Sequence, residues 1–204
     1  MGYFDAVSAS YDTDERMERA KAIADEIRLH LDGASKKSAL EYGCGTGMVG
    51  FRLLDEFDSL MFVDSSQGMI EQVKRKLSDS GKSTGNAICC DFIAVPPQDI
   101  AVDCVFTSLT LHHIRDTKAI LTHFRSILND GGKLLVIELT ADDGSFHGEH
   151  PGFDGYNGFE PSELARLAAE VGFKDVCVKT FFYGSKTTCG EIVPYSLFIL
   201  DATK

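Results

Sequence analysis

The stretch "ALEYGCGTGMVG", Ala39 to Gly50, has glycine spacing able to hold a phosphate or a nucleoside, and it can be read in two registers. From Gly45 it is G-x-G-x-x-G (Gly45, Gly47, Gly50), the pattern that cradles a dinucleotide pyrophosphate. From Glu41 it is acid-x-Gly-x-Gly-x-Gly, with Gly43, Gly45 and Gly47. Gly43 directly follows an apolar strand pattern, so the tight turn starts there. A dinucleotide fingerprint begun at Gly43 would need its third glycine where the chain has Met48. Downstream acids carry the distinction further. Asp64, followed by Ser65, closes the run "SLMFVD" 21 residues after Gly43, where a carboxylate can accept hydrogen bonds from ribose hydroxyls. Asp91 closes a third run and, with Phe92, offers an acceptor for an exocyclic amine beside an aromatic edge. A turn residue next to a core aromatic is the alternative. Three acids on one crevice, Glu41, Asp64 and Asp91, repel a pyrophosphate and suit a cationic sulfonium and an α-amino group.

A second set of residues could move protons or hold metal. His112 and His113 follow a fourth apolar run, at the rim where a substrate would enter, and a histidine there is a general base or a packing and capping residue. His147 and His150 stand near Glu149 and Asp154, a set that arises easily by accident in a loop, and no metal is expected. Phe146, Phe153, Tyr156 and Phe159 share that loop, either as an aromatic lid or tucked against a sheet edge. Cys44 reads as a small buried filler, since nothing at its spacing provides a base.

The elements that must position these residues follow from periodicity. Met17, Ala20, Ala24, Ile27 and Leu31 recur at helical spacing and predict an amphipathic helix ending near Asp32-Gly33. "SALEY" reads as a strand, "MVGFRLLDEF" as a helix and "SLMFVD" as a strand. Met69, Ile70, Val73 and Leu77 mark a helix, and "NAICCD" a third strand before a Pro-Pro connection. "VDCVFTS" is a fourth strand, "TKAILTHFRSIL" a helix after Asp116, and "KLLVIEL" a fifth strand entered through Asn-Asp-Gly-Gly. Strands apolar throughout and separated by helices require a parallel sheet covered on both faces, a doubly wound α/β domain. After a helix from Pro161 to Gly172, "VCVKTFF" and "YSLFILDA" are joined only by "YGSKTTCGEIVP", too short for a crossover helix. They should therefore pair antiparallel.

Composition narrows the function classes. The 204 residues include 31 acidic and 20 basic ones, a formal net charge of −11, which opposes nucleic acid as a partner. "KRK" at Lys74 to Lys76 is the densest basic run and reads as a solvated helix face. No segment is apolar for long enough to span a bilayer, and the acid-bearing N-terminus lacks a signal or transit pattern, so a cytoplasmic address with no membrane partner is expected. The six cysteines form neither a disulfide framework nor paired zinc spacing.

At the glycine loop and its acids the chain resembles the class I S-adenosylmethionine-dependent methyltransferases. The likeness extends to "YFDAVSASYD", similar to that superfamily's N-terminal F-x-x-x-A-x-x-YD element, to "FTSLTLHHI" after strand four, similar to its small-molecule branch, and to "ILNDGGKLLVIEL", where Asn129-Asp130 replaces the usual proline-containing turn. The resemblance implies a Rossmann-like seven-stranded sheet of order 3-2-1-4-5-7-6 with strand 7 antiparallel. It implies S-adenosyl-L-methionine as cofactor, with Gly43, Gly45 and Gly47 around the methionine part and Glu41 below its amino group. Asp64 would hold the ribose hydroxyls, with Ser65 also in the cofactor site, Met69 near the adenine and Asp91 and Phe92 in contact with it, while the backbone around Thr107, Ser108 and Leu109 would face the amino group and Tyr11 would close the pocket. One domain, 1–204, is expected, divided into a cap region 1–35, a cofactor-binding core 38–138, a substrate loop 139–161 and a C-terminal helix and hairpin 162–204. The reaction implied is methyl transfer to a small-molecule acceptor by in-line displacement, releasing S-adenosylhomocysteine. His112 or His113 would be the base where the acceptor is a hydroxyl or protonated amine. Two readings of other classes stand beside it: an NAD(P)-binding oxidoreductase using the Gly45–Gly50 register, and a cofactor-binding partner subunit without its own catalysis.

Overall fold

A computed structural model of the protein describes residues 2–31, 37–94, 100–149 and 152–204. Its seven strands are β1 (Lys37–Tyr42), β2 (Phe57–Asp64), β3 (Gly85–Cys89), β4 (Val102–Ser108), β5 (Leu128–Leu139), β6 (Lys174–Thr188) and β7 (Glu191–Thr203). They form one sheet of order β3-β2-β1-β4-β5-β7-β6, parallel from β3 to β5, with β7 antiparallel to both neighbours. This is the order and strand sense that the resemblance implied. Because β1 and β4 lie at the centre, their side chains are buried on both faces: Leu40, Val105 and Phe106 are fully enclosed. That explains why these strands read as continuous apolar runs instead of alternating ones. The expected crevice at the carboxyl ends of β1 and β4 therefore sits over the most rigid part of the molecule.

The helices are α1 (Tyr3–Val7), α2 (Asp14–His30), α3 (Gly50–Leu53), α4 (Gln67–Ser80), α5 (Thr117–Ile127) and α6 (Pro161–Val171). The ends expected for α5 and α6 are present, and α4 has a cap that was not foreseen. Ser66 Oγ accepts from the Met69 amide at the start of α4, Asp116 accepts from Ala119 at α5, and Pro161 opens α6, which ends at left-handed Gly172. No helix among the described residues is long and apolar enough to cross a membrane.

Several sequence expectations need correction. The helix after the glycine loop spans only Gly50–Leu53 and tightens into a 3-10 turn, Leu54–Glu56. The cause is Phe57: it begins β2, is buried, and stacks on Phe106 with ring centroids 6.1 Å apart, so the chain must be extended by that point. The third strand stops at Cys89, two residues before Asp91. The residues expected as a hairpin loop are strand, since β6 and β7 run on to a two-residue turn at Cys189 and Gly190. Both turn residues have positive φ, 51° and 80°, the backbone a tight hairpin needs. Helix α1 was not expected at all. The Pro-Pro connection, Asp32-Gly33 and His150 lie outside the described residues.

Candidate active site

Three glycines make the turn after β1, and each is required by the backbone. Gly43, Gly45 and Gly47 have φ of 65°, 52° and 80°, in the left-handed region that side chains disfavour. A Cβ on Gly43 would also lie 2.2 Å from the Thr110 side chain. Gly50 serves a different purpose: it opens α3, and a Cβ there would lie 2.2 Å from Glu41 Oε2. The fourth glycine thus makes room for a carboxylate, so the turn uses the register that starts at Glu41 and Gly43.

Glu41 sits at the floor of a cavity roofed by Phe4 and Tyr11 and closed on its sides by Gly43, Gly45, Asp64 and Met69. The carboxyl is 2% exposed, and its Oε2 has no hydrogen-bond partner. Burial pushes its pKa up to about 8, against the lowering effect of the Gly50 amide, and the neighbouring Asp64 charge adds to the rise. A buried, unpartnered carboxylate oxygen is an acceptor without a donor, and a cationic ligand would satisfy it. Asp64, at the end of β2, takes the Gly45 amide on Oδ2 and the Ser66 amide on Oδ1, both at 2.8 Å. Those bonds fix its orientation and leave lone pairs for further donors. Burial raises its pKa as well.

Ser65, Ser108, Leu109 and Tyr11 line this cavity as expected, Leu109 with a left-handed φ of 52°. Two expected residues are placed elsewhere. Phe92 is 1% exposed and packs edge-on against Tyr42, with Phe124 beyond, so it is a core aromatic. Asp91 is exposed and accepts the Ile93 and Ala94 amides, the work of a turn residue. Neither side chain lines the cavity, because β3 ends early. Thr107, whose backbone was expected to face the amino group, has its side chain buried in β4, between β1 and β5.

The N-terminal segment is fastened over this cavity. Asp5 Oδ1 takes Ser66 Oγ at 2.6 Å and the Gly68 amide at 3.0 Å, which holds α1 on the start of α4. Lys76 donates to Asp12 Oδ2 at 2.7 Å and to the Thr46 carbonyl at 2.8 Å, while Thr46 Oγ1 donates to Asp12. Lys76 is therefore a tie between roof and glycine loop, a correction to the solvated face expected of "KRK".

A second chamber, about 450 Å³, adjoins the first through Phe4, Tyr11, Leu109 and His113, and its size suits a small molecule. Its walls come from distant segments: α2, the residues after β4, Phe146, His147 and Glu149, Gly152 to Asp154, and Lys186 on β6. His112 lies on its wall and is 3% exposed. Behind it stands Glu138, a fully buried carboxylate near the end of β5 whose Oε2 is 2.8 Å from His112 Nδ1. Glu138 also accepts the His112 and Leu139 amides. Burial alone would raise the Glu138 pKa, yet the His112 charge and these hydrogen bonds hold it below the ordinary carboxylate range. A single acid inside the apolar run "KLLVIEL" was the signal for this residue, and the sequence reading passed over it.

His113 is exposed and meets Phe4 and Phe153 edge-on, with centroids 5.3 and 5.4 Å away. His147 is buried and stacked on Phe153 at 3.8 Å; burial, then repulsion from His112 and His113, lowers its pKa to about 4. Of the expected lid aromatics, Phe153 lines the chamber and Tyr156 is exposed. Phe146 lines it too, but packs on Tyr195, and Phe159 bridges to Thr140 against the sheet. Among the described residues no three His, Cys, Asp or Glu side chains are grouped to hold a metal. Arg16, Arg19 and Lys186 also face this chamber and were not foreseen.

Residues 39–132 match the family model of a methyltransferase domain. The chain is 32% identical over 117 residues to malonyl-[acyl-carrier protein] O-methyltransferase 1 of Ilyobacter polytropus, covering 56% of this chain and 42% of that protein. It is 26% identical over 147 residues to the ubiquinone/menaquinone biosynthesis C-methyltransferase UbiE of Saccharophagus degradans, covering 68% and 59%. The chain thus spans about half the length of these curated relatives. In fold it is similar to a SAM-dependent methyltransferase from Aquifex aeolicus, with a TM-score of 0.70 at 14% identity over 98% of this chain and 97% of that one.

Proposed function

We propose, from the methyltransferase-domain match over residues 39–132 and from the fold, that the chain is a class I S-adenosylmethionine-dependent methyltransferase and transfers a methyl group from S-adenosylmethionine to a small-molecule acceptor. The observation that carries this reading is Glu41 Oε2, a buried carboxylate oxygen without a donor at the floor of a glycine-walled cavity. The residues present fit the cofactor: an α-ammonium answers Glu41, ribose hydroxyls answer Asp64, and the left-handed glycines allow backbone amides to come close. When bound, the cofactor supplies an activated methyl group on a sulfonium.

What the protein must add is position. Displacement at carbon needs the nucleophile, the methyl carbon and the sulfur collinear near contact distance, and holding two reactants so removes much of the entropic barrier. The first chamber is suited to the donor and the second to the acceptor, with Leu109 and His113 on the wall they share. Glu41 and Asp64 bear against the dinucleotide reading, because two acids on the wall of the first cavity repel a pyrophosphate.

Calorimetry with S-adenosylhomocysteine and, separately, NADH tests the proposal. Uptake of the first and none of the second is expected. NADH binding without the thioether would overturn it, and thioether binding with no turnover across a broad acceptor panel would favour a partner subunit.

A further inference from the structure

Resting on the methyl-transfer reading above, we propose that His112 is the general base, that Glu138 is the residue positioning it, and that the acceptor is a hydroxyl of the phenol or enol kind. The geometry selects one histidine of the two. Glu138 has two carboxylate oxygens and three N–H groups directed at them: His112 N, His112 Nδ1 and Leu139 N, at 3.2, 2.8 and 3.0 Å. An ionised carboxylate only accepts, so Nδ1 must carry a proton, and in the neutral ring the lone pair lies on Nε2. With Nδ1 held at the back, Nε2 is the nitrogen His112 can offer to the chamber it lines. His113 is open to solvent and meets Phe4 and Phe153 edge-on.

Charge bookkeeping explains why a carboxylate is placed there. The acceptor O–H bond breaks and its proton goes to Nε2 as the oxygen takes the methyl carbon. The carbon–sulfur bond breaks and its electron pair stays on sulfur. One positive charge is thereby moved from sulfur to the imidazole, and Glu138 stands beside the ring that receives it. The proton then leaves to solvent.

The chamber's wall carries three acids and three Lys or Arg side chains. Glu15 pairs with Arg19 at 3.1 Å, Asp154 pairs with Arg115, and Glu149, whose Oε1 accepts the Cys189 amide, keeps its charge near Lys186. Arg16 and Lys186 donate to the backbone carbonyls of Tyr11 and Phe146. A neutral hydroxyl compound meets no net charge there. The Phe4, Phe146 and Phe153 rings favour an aromatic or conjugated body.

The test joins a spectroscopic and a kinetic measurement. In protein labelled with 15N-histidine, His112 should give the signature of a neutral ring protonated at Nδ1. Glu138→Gln replaces one accepting oxygen with a donor, and His112 should shift toward the Nε2-protonated form. The same variant, like His112→Ala, should lose kcat by about 100- to 10,000-fold toward a phenol panel, with KM and S-adenosylhomocysteine affinity changed less than about threefold. Nε2 protonation of His112 in the unmodified protein, undiminished kcat in either variant, or turnover confined to thiols or amines would overturn the assignment. The tautomer measurement needs no variant, so it decides even where Glu138→Gln fails to fold. Loss of thioether binding by the unmodified protein would instead sink the methyl-transfer reading itself.

Discussion

The two chambers share a wall but are assembled in opposite ways. The first draws Glu41, Gly43 and Gly45 from one turn and Asp64, Ser65 and Met69 from the next strand end and helix, so its cofactor-gripping part lies within residues 41–69, with Phe4, Tyr11, Ser108 and Leu109 completing the wall. The second is gathered from Phe4 and Arg16, His112 and His113, Phe146, His147 and Phe153, and Lys186, brought together only by the completed sheet. The difference has a physical source. A cofactor site at a strand-end turn needs special backbone and a few acids at set spacing, and local sequence can specify both. An acceptor site needs shape, which comes from how loops and a hairpin pack over the sheet edge.

Breaking the first chamber should give the largest effects. Gly43→Ala combines a left-handed backbone with a Cβ 2.2 Å from Thr110, and it should cost about 2–5 kcal/mol of stability and abolish thioether uptake. Gly131→Ala is the control, since its φ is 76° but nothing lies within 4 Å. It should cost only about 1–2 kcal/mol and leave binding intact, as thermal melts and calorimetry will show. Equal losses would mean that the close approach to Thr110 is unimportant.

Next in size is Glu41→Gln, which keeps the shape and removes the charge that Glu41 takes on when an ammonium pairs with it. S-adenosylhomocysteine should bind about 10- to 100-fold more weakly, the value of a charge-assisted hydrogen bond. Unchanged affinity would move the ammonium site elsewhere. The second chamber should respond more gently and independently. Phe153→Ala is expected to raise the acceptor KM about 3- to 10-fold, roughly one aromatic contact, with thioether affinity unaltered by calorimetry. A parallel fall in both affinities would show that the chambers are energetically one.

The smallest effect is on stability with pH. Glu41 has a folded pKa raised to about 8 from 4.5, so its contribution to stability is present at low pH and is lost as pH rises through 8. Asp64 shifts in the same direction. His147 works the other way, because its lowered pKa, about 4 against 6.5, adds stability as pH rises through that interval. Between about pH 6.5 and 8 the Glu41 loss should therefore stand clear, a few degrees of melting temperature at about 2–4 °C per kcal/mol for a chain of this size. Glu41→Gln should flatten that slope. A slope that persists in the variant would assign it to another group.

What could be read from the sequence follows the same division. The α4 to α6 helices, the ends of α5 and α6, the alternation of strand and helix and the glycine turn were legible because each rests on periodicity or on a local backbone demand, while the strand order came from the resemblance. Asp91 and Phe92 stand away from the first cavity because the end of β3 depends on its pairing with β2, which stops at Cys89. Lys76 looked solvated because its partners, Asp12 and the Thr46 carbonyl, lie 64 and 30 positions away. Glu138 could have been noticed, as a lone acid in an apolar run must be satisfied or functional, but its partner His112 is 26 residues upstream. Lys186 gave no sign, since the hairpin that carries it toward the chamber was taken for a loop.

The clasps of Asp5 and Asp12 have a kinetic corollary. Both anchor the roof to the very elements that would grip the donor, the glycine loop and the head of α4, and the roof's Phe4 and Tyr11 are shared walls of the acceptor's compartment. Whatever settles in the first compartment steadies the partition of the second. Turnover should accordingly follow a compulsory sequence, donor before acceptor and methylated product out before the spent thioether. In steady-state inhibition patterns S-adenosylhomocysteine should compete with the donor and not with the acceptor.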